Sequence, residues 1–292
     1  MNRNWKVIAL GLCLMGSMGL TGCDDDNNAS NMPDAARNAF EVKYPGVNVH
    51  EWERKNGYSV AEFVLDGFEA EAWFDDNGWV MTETDLNRQA LPQAVIDAFG
   101  QSGYDGWVLD DIDRIERPDT PTIYVLEIEM GEQDYRLTYT AEGILVNGHE
   151  NNGNTGENES GNNQDSGNNP YLPDQTPNSI EEQIQEMYPD AWIIETDREQ
   201  GQIEVDILHN HIGKEVRFDT NGNWLQTSWD VRVQDLPESI TAYVNTHFAG
   251  YRIDDADYYE TPSGNLYKLE VEQGASEQTF FLDTEGNLVT YP

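Results

Sequence analysis

The sequence predicts an α+β protein of two tandem domains, each a duplicated helix-plus-antiparallel-strands unit with its helices on one face of the sheet. Three observations carry this expectation. Motifs recur at a nearly constant offset, a polar segment separates the two copies, and strand-like alternation follows each short amphipathic helix. Tyr44-Pro45 returns as Tyr188-Pro189, and the run from Phe74 to Trp79 returns from Phe218 to Trp224. Leu91-Pro92 returns as Leu236-Pro237, Asp110 to Asp113 as Asp254 to Asp257, and Tyr124 to Glu129 as Tyr267 to Glu272. The offset stays between 143 and 145 throughout, a register that chance does not hold over five motifs.

Residues 1–22 read as an export signal. Arg3 and Lys6 form a positive start, 7–20 is an apolar run too short for a comfortable membrane span, and Leu20-Thr21-Gly22-Cys23 follows. The last four residues resemble the lipobox of bacterial lipoproteins. That resemblance implies a diacylglycerol on the Cys23 thiol, cleavage before Cys23, lipid chains such as palmitate on the new N-terminal residue and a polar tether over 23–32. Cys13 would leave with the signal, so the mature chain could form no disulfide and would depend on its core.

Residues 33–44 predict the first helix, with Ala36, Ala39, Phe40 and Lys43 on one face and Pro45 ending it. A second starts at Leu91-Pro92, with Val95, Ile96 and Phe99 as its stripe; 180–188 and 240–248 are the counterparts. Asn-Gly at 77–78 and 221–222 predicts hairpins, and Gly143 and Gly286 mark the equivalent turns. Domain one is bounded at 33–147 and domain two at 177–292. Between them 148–176 is expected to be a disordered Asn/Gly-rich linker, since its Asn-Gly-rich part carries no large apolar side chain to offset the entropy of ordering. Each half is expected to fold by itself.

These motifs together are similar to the PepSY-like, beta-lactamase-inhibitor-like family: a helix ending in Tyr-Pro-Gly, then Tyr58-Ser-Val-Ala-Glu-Phe63, Glu69-Ala-Glu-Ala-Trp-Phe-Asp75 with its glycine turn, and Leu91-Pro-x-x-Val95. The resemblance covers about 33–147 and 177–291. It implies a sheet with helices on one face and the other left open, and a secreted or envelope-bound binding protein of inhibitor-like type that is not an enzyme.

The net charge of −39 becomes −41 once Arg3 and Lys6 are removed. Such a chain does not suit nucleic acid or anionic lipid heads, so a lipid at Cys23 would make the membrane attachment. With eleven per cent aromatics the chain should fold rather than stay disordered. Catalysis has little to draw on: no Gly-x-Ser-x-Gly or His-Glu-x-x-His occurs, and the five histidines have no duplicated partners. His209-x-His211 would place two imidazoles on one strand face. No cofactor is expected. Calcium is the candidate ion, on the repeated clusters Asp110, Asp111, Asp113 and Asp254, Asp255, Asp257, although neither has the EF-hand spacing.

Strand alternation turns Ala70, Ala72, Phe74, Tyr124, Leu126 and Ile128 toward the helices. The open face then carries Trp73, Glu69, Glu71, Glu127, Glu129 and Arg136, the candidate surface for a cationic protein or peptide. The matching positions in domain two are Glu215, Arg217, Lys268, Glu270 and Glu272. Trp52, Trp79, Trp107, Trp192 and Trp224 are assigned to core or hairpin packing. The functional expectation is a lipid-anchored, non-catalytic binding module of the bacterial envelope. The alternative is a calcium-binding or calcium-stabilised envelope protein.

Overall fold

Proline precedes each α-helix among the described residues. In the computed structural model, which describes residues 32–104, 106–131, 133–150, 169–199 and 201–291, Pro33, Pro92, Pro177 and Pro237 occupy the position before helices α1 (Asp34–Lys43), α2 (Gln93–Phe99), α3 (Asn178–Met187) and α4 (Glu238–His247). Each proline carbonyl accepts an N–H from the first helical turn. The signal segment, Cys23, the tether up to residue 31 and 151–168 of the linker lie outside the described residues.

Four strands follow each helix. α1 leads to β1 (Val49–Lys55), β2 (Tyr58–Leu65), β3 (Phe68–Asp75) and β4 (Gly78–Asp85); α2 leads to β5 (Val108–Glu116), β6 (Ile123–Met130), β7 (Gln133–Thr140) and β8 (Leu145–Glu150). In the second half, β9 (Trp192–Glu199), β10 (Gln202–His209), β11 (Ile212–Asp219) and β12 (Trp224–Asp230) follow α3, and β13 (Arg252–Glu260), β14 (Leu266–Gln273), β15 (Ser276–Asp283) and β16 (Leu288–Val289) follow α4. Each half is one eight-stranded antiparallel meander in chain order. One helix-plus-four-strands unit is therefore used four times.

The turns follow from backbone chemistry. Asn56-Gly57 and Asp66-Gly67 take positive φ at both residues, the two-residue geometry that matches strand twist. At Asn77-Gly78 only the glycine is positive, at 131°, and Asp75 Oδ1 accepts the N–H groups of Asn77 and Gly78. Gly143 and Gly286 are required twice over. Their φ values are 80° and 84°, and a Cβ would lie 2.4 Å from the Ala94 carbonyl oxygen and 2.6 Å from that of Ser239. Each turn thus docks against the first turn of the preceding helix.

The helix face holds four cores. α1 contributes Phe40, edge-on to Phe63 at 5.0 Å, above Ala61, Ala70, Ala72 and Phe74. α2 covers Leu126, Ile128 and Tyr139 with Val95 and Phe99. α3 and α4 do the same for Val205 and Phe218, and for Leu269 and Leu282. The Thr82 hydroxyl pairs with Tyr44 and accepts from Trp79 Nε1, and Thr227 accepts from Trp224 Nε1 in the duplicate.

A fifth core lies on the opposite face and joins the halves. Tyr58, Val60, Trp73, Met81, Ile115, Ile123, Val125 and Val146 pack with Tyr171, Leu172, Ile194 and Leu208. Two expectations change here. Residues 148–150 belong to β8, and the end of the linker is ordered: a 3-10 turn spans Pro173–Gln175, while Tyr171 and Leu172 are buried. The halves also do not stand apart. Arg117 donates to the carbonyls of Tyr171 and Ile193, and a Cβ on Gly213 would sit 2.3 Å from the Val146 carbonyl oxygen, so only glycine admits β8 against β11.

Candidate functional site

The alternation placed Trp73 on the correct face, opposite Ala72 and Phe74, but that face is not open around it. Trp73 is 3 % exposed, packed edge-on to Tyr58 at 5.9 Å within the fifth core. The physical reason is tertiary: the second half and the linker end bring apolar side chains that remove the indole from water. Arg136 is likewise taken. It pairs with Glu195, which is 1 % exposed, and reaches Asp197 Oδ2 at 3.1 Å. Asn147 Nδ2 bonds both Glu195, at 3.1 Å, and Asp206. Burial lifts the Glu195 carboxyl to about 8 in spite of the Arg136 charge. Trp73 and Arg136 therefore hold the two halves together.

The remainder of that face is acidic. Glu51 lies opposite Glu62, Glu62 opposite Glu71, and Glu71 opposite Glu83, a row of four glutamates crossing β1 to β4. Asp85 faces Asp113 across β4 and β5, and Asp111 faces Glu127 across β5 and β6. Like charges directly opposite each other in a sheet are destabilising. Lys55 offsets part of the row, with Nζ 3.0 Å from Glu71 and 3.4 Å from Glu53. Burial, reinforced by neighbouring carboxylates, raises Glu83 to about 7 and Asp113 to about 8. Asn169 from the linker end donates to Glu83 at 2.8 Å. A depression of about 410 Å³ lies here, between His50, Glu62, Glu69, Glu71, Glu83, Asp85 and Asp113. Glu69 and Glu129 are exposed, Glu71 and Glu127 half-buried.

Sequence reasoning named Glu69, Glu71, Glu127 and Glu129 but missed Glu51, Glu62, Glu83 and Asp85. Period-two counting from Glu71 back to Glu62 through the Asp66-Gly67 turn would have found that pair, but a bulge between Trp73 and Phe74 shifts the register that brings Glu83 opposite Glu71. The repeated aspartates do not converge. Asp110, Asp111, Asp254 and Asp255 are exposed beside bulges in β5 and β13. Lys268 holds Asp257 at 3.2 Å, and Arg252 holds Asp254 at 2.5 Å. Among the described residues no group of three or more His, Cys, Asp or Glu is arranged to hold a metal ion. His209 and His211 do not share a strand face, because His211 belongs to the turn, with φ 63°. Trp52 is a core residue as expected, but Trp192 is 43 % exposed.

Four helix-plus-meander units, joined in pairs, with carboxylates gathered on part of one face of the first sheet, describe a doubled α+β protein. The chain belongs to the family described as "Putative beta-lactamase-inhibitor-like, PepSY-like", whose model matches residues 57–147 and 205–290. Solved structures similar to part of it include a BLIP-like protein from Bacteroides fragilis, 38 % identical, covering 44 % of this chain and 92 % of that one with a TM-score of 0.41. A DUF2874 family protein from Bacteroides ovatus is 33 % identical over 40 % of this chain and 86 % of its own, TM-score 0.39. Another from Bacteroides uniformis is 28 % identical over 41 % and 89 %, TM-score 0.39. No curated protein matches the chain.

Proposed function

We propose that this chain is a lipid-anchored protein of the bacterial envelope, acylated at Cys23, that binds a cationic protein or peptide segment on the acidic face of its first sheet and performs no catalysis. The observation that carries this reading is the row Glu51–Glu62–Glu71–Glu83. A sheet face shaped by stability alone would alternate charge across its strands. A face that keeps four glutamates in register, with Glu83 and Asp113 held up to about 7 and 8, carries unspent attraction for a cation. Such a face speeds encounter with positive partners more than it deepens affinity, and it weakens with salt. The beta-lactamase-inhibitor-like family supports a protein-binding role. The export signal and the Leu-Thr-Gly-Cys run support the envelope and the anchor.

The test uses a peptide of alternating lysine and leucine and its fully acetylated twin. The lysine form should bind the full chain, lose affinity steeply between 50 and 200 mM salt, and bind roughly ten-fold more weakly to a Glu62→Gln/Glu71→Gln variant. Equal binding of the acetylated peptide overturns the reading. Intact-mass measurement decides the anchor: an unmodified Cys23 ends that part. Millimolar calcium enters as a parallel arm, where a saturable rise in the melting midpoint would favour a calcium-stabilised protein instead.

A further inference from the structure

The two halves treat one pair of aspartates differently. Asp85 on β4 faces Asp113 on β5, and Asp230 on β12 faces Asp257 on β13. The surrounding register is the same in both. Asp111 faces Glu127, Asp255 faces Glu270, and a bulge precedes Asp111 and Asp255 alike. The difference lies across the next strand. Asp257 faces Lys268, whose Nζ is 3.2 Å from it and 2.8 Å from Glu270. Asp113 faces Val125, and neither Asp85 nor Asp113 makes an ion pair among the described residues.

Building on the proposal that this face binds cations, we infer that the Asp85–Asp113 pair seats one lysine ammonium of the partner, in the place that Lys268 Nζ fills within the second half. The duplicate supplies what a group of acidic side chains alone does not: the equivalent carboxylates, in the same register, holding an ammonium. The electrostatics agree. Burial first, then the charges of Glu83, Asp111, Asp85 and Glu127, raises Asp113 to about 8. Burial raises Asp257 too, but Lys268 opposes it and holds the value to about 6. The first half has no cation of its own to spare. Lys55 reaches Glu53 and Glu71, and Arg136 pairs with Glu195 and Asp197.

The pair can be reached from solvent. Asp85 is exposed, Asp113 is half-buried, and both border the depression that holds Glu83. Val125 is sealed under the second half, so the ammonium enters from the Asp85 side. Glu127, the counterpart of Glu270, faces Arg136 across β6 and β7, which leaves Asp85 and Asp113 as the two acceptors. Glu83 and Asp85 stand two residues apart on one face of β4, roughly 7 Å. An extended peptide with lysine at alternate positions therefore sets one ammonium on Asp85 and Asp113 and the next on Glu71 and Glu83. A primary ammonium brings three N–H donors to these oxygens, and a quaternary one brings none.

Binding of the alternating lysine–leucine peptide and its fully Nζ-trimethylated twin to the full chain tests this. The twin keeps every charge and loses every ammonium N–H. The lysine form should bind at least about ten-fold more tightly, the difference expected for charge-assisted hydrogen bonds. Asp85→Asn/Asp113→Asn should weaken the lysine form by about ten-fold and shrink the gap between the two forms. Asp255→Asn in the second half should leave both unchanged. Because Asp113 must shed its proton to pair with an ammonium, affinity should rise between about pH 6 and about pH 9, and Asp113→Asn should flatten that rise. If the double variant does not fold, the exposed Asp85→Asn alone should weaken the lysine form by about three-fold or more. Equal affinity of the two peptides, or unchanged binding in the aspartate variants, overturns the inference. If Glu62→Gln/Glu71→Gln still weakens binding in that case, the acidic face stands and only the lysine seat falls; if neither peptide binds, both fall.

Discussion

Replacing Glu83 by glutamine should make the protein more stable and a poorer binder, and the gain should depend on pH in a defined way. Glu83 ends the glutamate row and is raised from the ordinary 4.5 to about 7 by burial first and the Glu71 charge second. Glutamine keeps an oxygen for the Asn169 donor, 2.8 Å away, while removing the charge. The sign follows from linkage. A carboxyl whose folded-state pKa is raised binds its proton more tightly folded than unfolded, so stability falls as pH climbs from the unfolded value toward the folded one. Below about 4.5 the charge costs nothing; above about 7 it costs its full amount. At about 1.4 kcal/mol per pKa step the ceiling is about 3 kcal/mol, an upper limit because Glu83 keeps part of its surface in water. Urea unfolding of Glu83→Gln should therefore show a gain of up to about 3 kcal/mol at pH 8, roughly 6–12 °C in Tm for a chain of this size. At pH 5 the gain should shrink below about 1 kcal/mol. Equal gains at both pH values, or a loss at pH 8, would refute the claim that the row stores electrostatic strain.

Trp73→Ala should lower stability by about 3–5 kcal/mol, the cost of truncating a fully buried aromatic, and should blunt the coupling between halves in calorimetric unfolding; an unchanged transition would mean that the fifth core is not a shared one. Arg136→Met removes the cation beside Glu195 and should cost most above about pH 8, where Glu195 ionises, up to about 3–5 kcal/mol, and less at neutral and acid pH, where its carboxyl already holds a proton. Adding Glu195→Gln should recover more than half of that loss in a double-mutant cycle. Gly286→Ala should destabilise by more than about 2 kcal/mol, combining a left-handed backbone with a clash on the Ser239 carbonyl, whereas Gly57→Ala, with open space around it, should cost about 1 kcal/mol in chemical denaturation.

Local order was legible in the sequence, and long-range contact was not. The prolines at 33, 92, 177 and 237 and the apolar stripes behind them mark all four helices, and period-two alternation set both sheet faces correctly, Trp73 included. What covers a face has no local period. Ile194 and Leu208 look like ordinary strand residues, and Tyr171-Leu172 are two apolar side chains at the edge of a polar tract, so nothing in their spacing announces that they bury Trp73. The glutamate row needed the register of three hairpins, and Asn56-Gly57 and Asp66-Gly67 carried that information as two-residue turns. Trp192 was assigned to packing by residue type alone, and its exposure depends on how β9 sits at the sheet edge.

The way the two halves meet has a geometric consequence. In the shared core β2 to β6 and β8 of the first copy contribute Tyr58, Val60, Trp73, Met81, Ile115, Ile123, Val125 and Val146, and β9 and β10 of the second contribute Ile194 and Leu208. One face of the first copy's sheet thus grips the early strands of the next copy. This is a heterologous contact, not a two-fold one, and such contacts close into rings or extend as open series. A third copy could in principle be added by the same rule. Two substitutions stand at the site where it would dock: the second copy carries Arg217 and Lys268 where the first has Trp73 and Val125. Both cations are locked to carboxylates, Arg217 with Glu204 and Lys268 with Asp257 and Glu270, and burying them under an apolar neighbour would carry a large desolvation penalty. The free face of the second sheet is therefore charged where the first sheet has the apolar seat of Trp73 and Val125, and an apolar neighbour would not settle on it as the second half settles on the first.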